Sequence, residues 1–233
     1  MSKIFTIAKK ELAQYFKSPA AYIILIISCA VFNVFFYMII NENREATLRE
    51  VFQLMEFMFI FIVPLLTMRV FSEEKMNGTL EFLLTTPTTV WFIVLGKYLG
   101  AILFYFVMIS VSLVYYLILA RFGAPDAAEF ISGIIGIMLE GALFISIGLL
   151  ASSLTRHQII AAIITYVVLF FLYFCLSFTQ YTAGTLESVF RHMSTLSHME
   201  NFSQGLIRLS DFVYYFSGIS ICLWLTHIRL TRE

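Results

Sequence analysis

Long apolar runs separated by short polar segments dominate the chain. Six of them are predicted to be helices, over about residues 20–40, 51–70, 90–120, 130–154, 158–178 and 212–228. A helix of about 20 residues is long enough to cross a hydrocarbon core about 30 Å thick. A membrane β-barrel would show alternating strands of about ten residues instead, and the chain has no such alternation. The pattern therefore predicts an all-α integral membrane protein with six transmembrane helices.

The residues before the first run have the period of an amphipathic helix. Between residues 3 and 17, the apolar side chains share one arc of a helical wheel and the lysines share the opposite arc. A helix of this kind lies at the membrane interface, with its basic face among anionic lipid head groups. Ser18 and Pro19 then break the helix and turn the chain into the membrane. We predict an interfacial N-terminal helix within residues 1–19 that contacts membrane lipid.

One carboxylate, that of Glu11, falls on the apolar arc of this helix. An unpaired charge that faces lipid or protein core is costly, so the side chain needs a partner or access to water. We predict a structural ion pair between Glu11 and Arg69, which stands at the end of the second run. Lys75 and Arg156 are the next candidates. The alternative is that the Glu11 carboxylate extends into the lipid head groups.

The polar segment after the second run, residues 72–87, contains several signals for helix ends. Asn77 and Gly78 are a typical helix stop and turn, and Pro87 is suited to the first position of the next helix. A short helix is therefore predicted between them, over residues 79–84. Three of its leucines are available for docking to another protein: Leu80, Leu83 and Leu84.

The third run and the last polar segment each have a distinct feature. The run at 90–120 is longer than a bilayer requires, so we expect it to begin as a helix outside the membrane. Residues 179–210 form the last loop on the outer face. Five apolar residues in this loop follow a helical period: Leu186, Val189, Phe190, Met193 and Leu196. We expect this amphipathic helix to lie flat on the outer face.

Two carboxylates stand inside predicted spans, Glu56 in the second and Glu140 in the fourth. Intramembrane acids are functional-site candidates because a charge is costly in the bilayer. They could form a hydrogen bond between helices, contribute to a polar translocation surface, or couple transport to protons, and the sequence leaves these roles open. The fourth span also contains glycines at 133, 136, 141 and 148, which favour close helix packing around Glu140.

The composition agrees with a membrane protein and argues against several other classes. Hydrophobic residues make up 60% of the chain and charged residues 13%, against about 25% charged in soluble domains. The formal net charge is zero, which argues against nucleic acid as a partner. The histidines and cysteines lack the spacing of metal ligands, so no metal site is predicted. The chain also lacks a phosphate-binding loop and the common hydrolase motifs, so no catalytic residue is predicted.

The distribution of basic residues predicts the orientation of the helices. With the N-terminus in the cytoplasm, ten lysines and arginines lie on the cytoplasmic side and five on the other side. The positive-inside rule therefore places both termini in the cytoplasm. The first apolar run begins at Ala20, is long enough to span and lacks a cleavage site. We expect it to remain as a membrane anchor.

Three segments and a weaker fourth, in this order along the chain, carry a family resemblance. The first comprises Lys10, Glu11 and residues 15–19; the second, residues 69–81 with Pro87, Gly96 and Lys97; the third, residues 148–158; the fourth, residues 203–205 with Asp211 and Tyr214. On these segments the chain resembles the permease subunit of ABC-2-type exporters, nearest to the gliding-motility GldF and copper-processing NosY type. The pattern E-E-x-x-x-G-T-L-E, from Glu73 to Glu81, is the most specific piece.

The resemblance implies a permease that is driven by a separate subunit. The short helix after the second span would be a cytoplasmic coupling helix, docked on an ABC ATP-binding subunit that holds ATP and magnesium, while this chain binds no cofactor. The implied ATPase-coupling residues are Glu73, Glu74, Gly78, Thr79, Leu80, Glu81, Leu83 and Leu84. Two permeases would pair, as a homodimer or with a paralogous permease, in the bacterial inner membrane. Glu56 and Glu140 lie outside the family pattern.

Three other classes of protein remain open on the sequence. A proton-coupled carrier would use Glu56 and Glu140, and its transport would collapse with the proton gradient while ATP stays high. An intramembrane hydrolase would need a nucleophile and a base at recognisable spacing, which the sequence does not show. A structural anchor for a complex would not stimulate the hydrolysis of ATP by an ATPase that co-purifies with it.

Overall fold

The computed structural model describes residues 2–43, 48–84, 88–123, 125–181 and 184–232. The α-helices of these residues are α1 (Ser2–Lys17), α2 (Pro19–Asn43), α3 (Arg49–Thr67), α4 (Ser72–Met76), α5 (Thr79–Leu84), α6 (Val90–Ile109), α7 (Val111–Phe122), α8 (Ala127–Leu154), α9 (Gln158–Phe178), α10 (Thr185–Met193), α11 (Thr195–Ser203) and α12 (Leu209–Thr231). A 3-10 turn follows α9 at Thr179–Tyr181. The described residues contain no strand, and the all-α prediction is confirmed.

Six helical segments in this part of the chain are long and apolar enough to cross a membrane. They are Pro19–Asn41, Arg49–Met76, Val90–Arg121, Ala127–Leu154, Gln158–Phe178 and Leu209–Thr231. Each contains one predicted apolar run, and the ends differ by less than a helical turn except at the end of the second segment. The prediction of six transmembrane helices is therefore confirmed by length and composition.

The central helix of the bundle is α8, which contacts α3, α6, α9, α11 and α12. Its glycines lie directly against large side chains. A Cβ atom at Gly141 would lie 2.0 Å from Cε1 of Tyr105, and one at Gly148 would lie 2.0 Å from Oγ1 of Thr67. Both distances are far shorter than a van der Waals contact, so neither position accepts a side chain without a shift of its neighbour. The expected close packing along the fourth span is confirmed.

The over-long third run is divided between α6 and α7, which meet at Ser110. The hydroxyl of Ser110 donates to the carbonyl oxygen of Val107 at 2.6 Å. Such hydroxyl-to-backbone bonds compete with the helical hydrogen bonds and commonly accompany a bend. The run is therefore two consecutive helices rather than one straight one.

The segment predicted as one amphipathic helix after the fifth span is two helices, α10 and α11. They are separated at Ser194, where the backbone is extended. The apolar side of α10 is open, with Leu186 61% exposed, whereas α11 buries Met199 and Phe202. Both buried side chains lie against Gly136 of α8. The break lets α11 pack on the bundle while α10 stays on the surface.

The helix α1 and the C-terminal end of α12 lie at the same end of the bundle, which we call the loop end. The N-terminal helix α1 packs along α6. The ring of Trp91, at the start of α6, stacks on the imidazole of His227, near the end of α12, with centroids 4.3 Å apart. The helices α4 and α5 lie in the connection between α3 and α6 at this end. The loop end therefore brings together α1, the short helices and the C-terminal end of α12.

Candidate functional site

Lys97 joins several segments at the loop end. Its side chain is 2% exposed, and its Nζ atom donates to Oε1 of Glu11 at 2.9 Å and to Oε1 of Glu74 at 2.8 Å. A third hydrogen bond, 3.0 Å long, goes to the carbonyl oxygen of Val70. An ammonium group has three donors, so all of them are used. We call Lys97, Glu11 and Glu74 the lysine hub; it connects α1, α4, α6 and the turn after α3.

Two glycines of α6 allow α1 to approach the hub. A Cβ atom at Gly96 would lie 2.6 Å from Cγ2 of Ile7, and one at Gly100 would lie 2.6 Å from Cβ of Glu11. Because neither residue has a side chain, α1 packs closely against the backbone of α6. Lys97 lies between the two glycines in sequence and meets Glu11 there. The amphipathic N-terminal helix is thus present as α1, and it docks on α6.

The predicted ion pair between Glu11 and Arg69 is wrong, because Glu11 binds Lys97 instead. The next candidates, Lys75 and Arg156, are not its partners either. The prediction assumed that the partner of Glu11 stands at the boundary of an apolar run. Lys97 instead lies inside the third run and reaches Glu11 because α1 packs closely on α6. A lone lysine in an apolar run was the signal that could have found the pair, since such a charge needs partners.

Tyr15 provides a second attachment for α1. Its hydroxyl donates to the carbonyl oxygen of Leu66, on α3, at 3.2 Å, and its ring stacks on Phe104 of α6 with centroids 5.0 Å apart. Burial, and after it the negative charge of Glu11, raises the pKa of the Tyr15 phenol, so the hydroxyl remains a neutral donor. The helix α1 is therefore fixed on both α3 and α6.

Ser152, near the end of α8, fixes the turn between α3 and α4. Its Oγ atom accepts hydrogen bonds from the backbone N–H groups of Phe71 and Ser72, both 3.0 Å long. The same hydroxyl donates to the carbonyl oxygen of Met68 at 3.1 Å. We call this set of bonds the serine clamp. It brings the second and third segments of the family resemblance into contact, which no local pattern in these segments predicts.

The short helix predicted after the second span is present as α5, with the predicted bounds. Gly78, just before it, adopts a φ of +68°, which glycine tolerates best. The expectation that Leu80 is available for docking is wrong, since Leu80 is 4% exposed and belongs to the core of this chain. Its side chain attaches α5 to the bundle. Three predicted positions lie outside what the structure describes: the side chains of Leu83 and Leu84, and Pro87.

Up to residue 81, where the described side chains of this segment end, the exposed surface of α4 and α5 is formed by Glu73, Met76, Asn77, Gly78, Thr79 and Glu81. We call it the docking face. Most of its members are among the predicted coupling residues, and it adds Met76, which is 57% exposed. Of the remaining predicted coupling residues, Glu74 is half-buried in the lysine hub and Leu80 is buried. In its described residues the docking face is thus mainly polar, and it is carried on a segment attached firmly to the bundle.

Glu56 of α3 and Glu140 of α8 lie side by side in the bundle core. The residues are 1% and 0% exposed. No donor among the described residues reaches Oε1 of Glu56 or either carboxylate oxygen of Glu140. An ionised carboxylate only accepts hydrogen bonds, so a bond between the two acids would need a proton on one of them, and no such bond is formed. The helices α3 and α8 meet here by close packing, and the hydrogen bond between helices that the sequence allowed is not formed.

At the opposite end of the bundle, Asp211 of α12 holds α11 in place. Its Oδ1 atom lies 2.6 Å from Nδ1 of His198, and its Oδ2 atom accepts from Nδ2 of Asn201 at 3.2 Å. The imidazole also stacks on Tyr214, with centroids 4.2 Å apart. The sequence did not predict this contact, because the histidines were considered only as metal ligands and their spacing does not fit a metal site. Among the described residues, no three histidine, cysteine, aspartate or glutamate side chains are grouped as a metal site requires.

Comparison with known proteins supplies the remaining finding. A protein-family model with the description "ABC-2 family transporter protein" matches residues 5–221. The matched range includes the lysine hub, the serine clamp, the docking face and the two core acids. A comparison with curated proteins finds no match.

Proposed function

The chain belongs to the ABC-2 transporter family, and on this premise we propose that it is the permease subunit of an ATP-driven exporter. The six candidate spans would form the translocation path. ATP would be bound and hydrolysed, with magnesium, on a separate ABC ATP-binding subunit. Within the family, we propose the gliding-motility GldF and copper-processing NosY type on the strength of the segments that resemble it.

The attachment of the docking face to the bundle is the observation that carries this proposal. The segment before α5 is held by the serine clamp on α8 and by Glu74 in the lysine hub. Buried N–H groups need acceptors in any connector, but a connector without a mechanical role has no need of attachments to three helices at its base. A segment that receives a force from another subunit does need them, because the force must reach the spans.

The bonds at this site suggest how the force would be distributed. A push on the docking face would reach α8 through Ser152 and would reach α1 and α6 through Lys97. The close packing of α3 on α8 would then keep these two helices together as they move. The predicted coupling function is thus assigned to the polar docking face, and the buried Leu80 serves to hold α5 on this chain.

We further propose that the loop end faces the cytoplasm, where ATP is available to the partner subunit. Both termini would then be cytoplasmic, as the positive-inside rule predicts. The membrane would be the bacterial inner membrane, and two permeases would pair around the path, most simply as a homodimer.

Charge reversal on the docking face tests the proposal. Glu81→Lys should reduce co-purification of the ATP-binding subunit by about tenfold, since a reversed charge at an interface costs at least about 1.4 kcal/mol. Glu81 is exposed, so the level of the permease in the membrane should not change. The measurement is a pull-down of the tagged permease after expression with the ATP-binding subunit.

The matched control is Glu187→Lys, which makes the same change on α10 at the opposite end of the bundle, where the side chain is also exposed. It should leave co-purification unchanged. Met76→Asp is a second variant of the docking face and should act like Glu81→Lys. Normal binding by both variants of the docking face would refute the assignment of this surface to the ATP-binding subunit.

A further inference from the structure

Two adjoining cavities form a groove between α1, α2 and α3 at the loop end. The larger has a volume of about 640 Å³ and is lined by α1, the first turns of α2, the end of α3 and α4. The smaller has a volume of about 210 Å³ and lies between α2 and α3. Ile24 and Leu65 line both cavities. The groove therefore runs from the loop end along the first two spans.

The wide end of the groove is lined by charged side chains, three basic and three acidic. Glu11, Glu74 and Lys97 line it but already bind one another in the lysine hub. Its other charged side chains are two cations, Lys10 and Arg69, and one acid, Glu73. Within the described part of the chain, no hydrogen bond or ion pair engages the side chain of Lys10 or of Arg69. Their charges are thus available to an anion.

The narrow end of the groove is apolar. Isoleucine, valine, phenylalanine, methionine and leucine side chains line it, together with one serine, Ser28. The hydroxyl of Ser28 donates to the carbonyl oxygen of Leu25 at 2.9 Å and so presents no free donor. An occupant of this end must itself be apolar, because a polar group here would lose its hydrogen bonds to water.

The change from charged to apolar follows the direction of the membrane spans. The first candidate span begins at Pro19, and Ile24, at the junction of the two cavities, lies little more than one turn further on. The charged end is therefore at the membrane boundary, and the apolar end lies at the depth of the acyl chains. Along this stretch α2 is mostly exposed: only 17% of its most apolar 18-residue stretch is buried against the rest of the chain.

We propose that the groove binds one phospholipid of the leaflet at the loop end. Its phosphate would lie between Lys10 and Arg69, and one acyl chain would follow α2 and α3 past Ile24 and Leu65. A free phosphate would use the cations and leave the apolar end unexplained. A second protein chain would need a charged group and an apolar segment in the same order and at the same depth, which a lipid has by its nature. The inference does not depend on the identity of the ATP-binding partner.

Native mass spectrometry of the full-length protein, purified in mild detergent, tests the proposal. One tightly held phospholipid per chain is expected. In the variant Lys10→Gln/Arg69→Gln its occupancy should fall at least about tenfold, because two charge-assisted hydrogen bonds are lost. Both side chains are exposed, so the variant should fold. The control Lys9→Gln changes an exposed lysine of α1 that does not line the groove, and it should retain the lipid.

A second pair of variants tests the apolar end. Ile24→Phe fills the junction of the two cavities and should also lower phospholipid occupancy, whereas Ile26→Phe, at an exposed position outside the groove, should not. Added palmitoyl-oleoyl phosphatidylglycerol should restore the thermal stability of delipidated protein, and inorganic phosphate should not.

Three outcomes would overturn the proposal. Retention of lipid by the charge-neutral double variant would show that the cations do not hold it. Equal stabilisation by inorganic phosphate would identify an anion site. Occupancy that changes only with dimerisation would assign the groove to a second copy of the chain.

Discussion

Lys97 is a charged residue inside an apolar run, and its surroundings explain how the fold accommodates it. The ammonium group has exchanged water for two carboxylates and one carbonyl oxygen. The ring of Phe71 lies 5.3 Å from Nζ and adds a favourable cation–π contact. Burying these charges is costly, so the cluster is better understood as a device that fixes α1 and α4 in one arrangement than as a net source of stability.

Removing the cation should therefore lower the stability strongly, because two carboxylates lose their ammonium partner. Lys97→Met would leave Glu11 and Glu74 without their ammonium partner and should lower the free energy of unfolding by about 3–5 kcal/mol. Adding Glu11→Gln to that variant should cost less than Glu11→Gln costs in the wild-type protein. Thermal unfolding in detergent of the two single variants and the double variant measures this coupling.

An exposed ion pair provides the comparison for that experiment. Arg49 and Glu200 approach to 3.8 Å, with side chains 42% and 53% exposed. Glu200→Gln should change the stability by less than about 1 kcal/mol, because solvent screens the pair. Strict additivity of Lys97→Met and Glu11→Gln would contradict the role given to the hub.

Among the helices, the most informative contact is that of α8 with the turn between α3 and α4. Two backbone N–H groups of this turn have the hydroxyl of Ser152 as acceptor. A buried N–H group with no acceptor is costly, so the position of the turn depends on one oxygen atom of another helix. The serine clamp thus determines where α4, and with it the docking face, is held.

Ser152→Ala should loosen this turn. Two N–H groups would lose their acceptor, at about 1–3 kcal/mol for each that stays buried. Thermal stability should fall, and hydrogen–deuterium exchange of residues 68–76 should rise. The neighbouring Ser153→Ala is a close control, because the hydroxyl of Ser153 donates to Leu150 within its own helix, at 2.7 Å. Equal exchange of residues 68–76 in the two variants would contradict the clamp.

The helices themselves could largely be predicted from the sequence, because their signals are local. The spans follow from the length of the apolar runs, and α5 follows from Gly78 before it. The contacts between helices could not be predicted in this way. Whether Leu80 faces a partner or its own bundle, and whether Glu11 meets Arg69 or Lys97, depends on which helices pack together. The close approach of α1 to Gly96 and Gly100 of α6 depends on the same pairing of helices.

The molecule as a whole has one well-buried span and several that are largely open. Of the most apolar 18-residue stretch of each span, 67% is buried in α8, against 17% in the first span, 28% in α9 and 22% in α12. The open spans must face lipid or other chains, and a translocation path between two permeases would need some of these surfaces.

We expect the purified complex to contain two copies of this chain and two ATP-binding subunits, related by a two-fold axis. Native mass spectrometry of the complex measures this composition directly. A paralogous permease in place of the second copy would show as a second mass and would replace the homodimer. One permease for two ATP-binding subunits would exclude both forms of pairing.

The lysine hub also has a consequence for the order in which the chain can be assembled. Synthesis starts at the N-terminus, so Glu11 and Glu74 leave the ribosome before Lys97. Until α6 has been made, the two carboxylates lack their ammonium partner, and the glycine surface that receives α1 does not yet exist. The first two spans must therefore enter the membrane with α1 undocked. The arrival of α6 is the step that closes the N-terminal half of the protein.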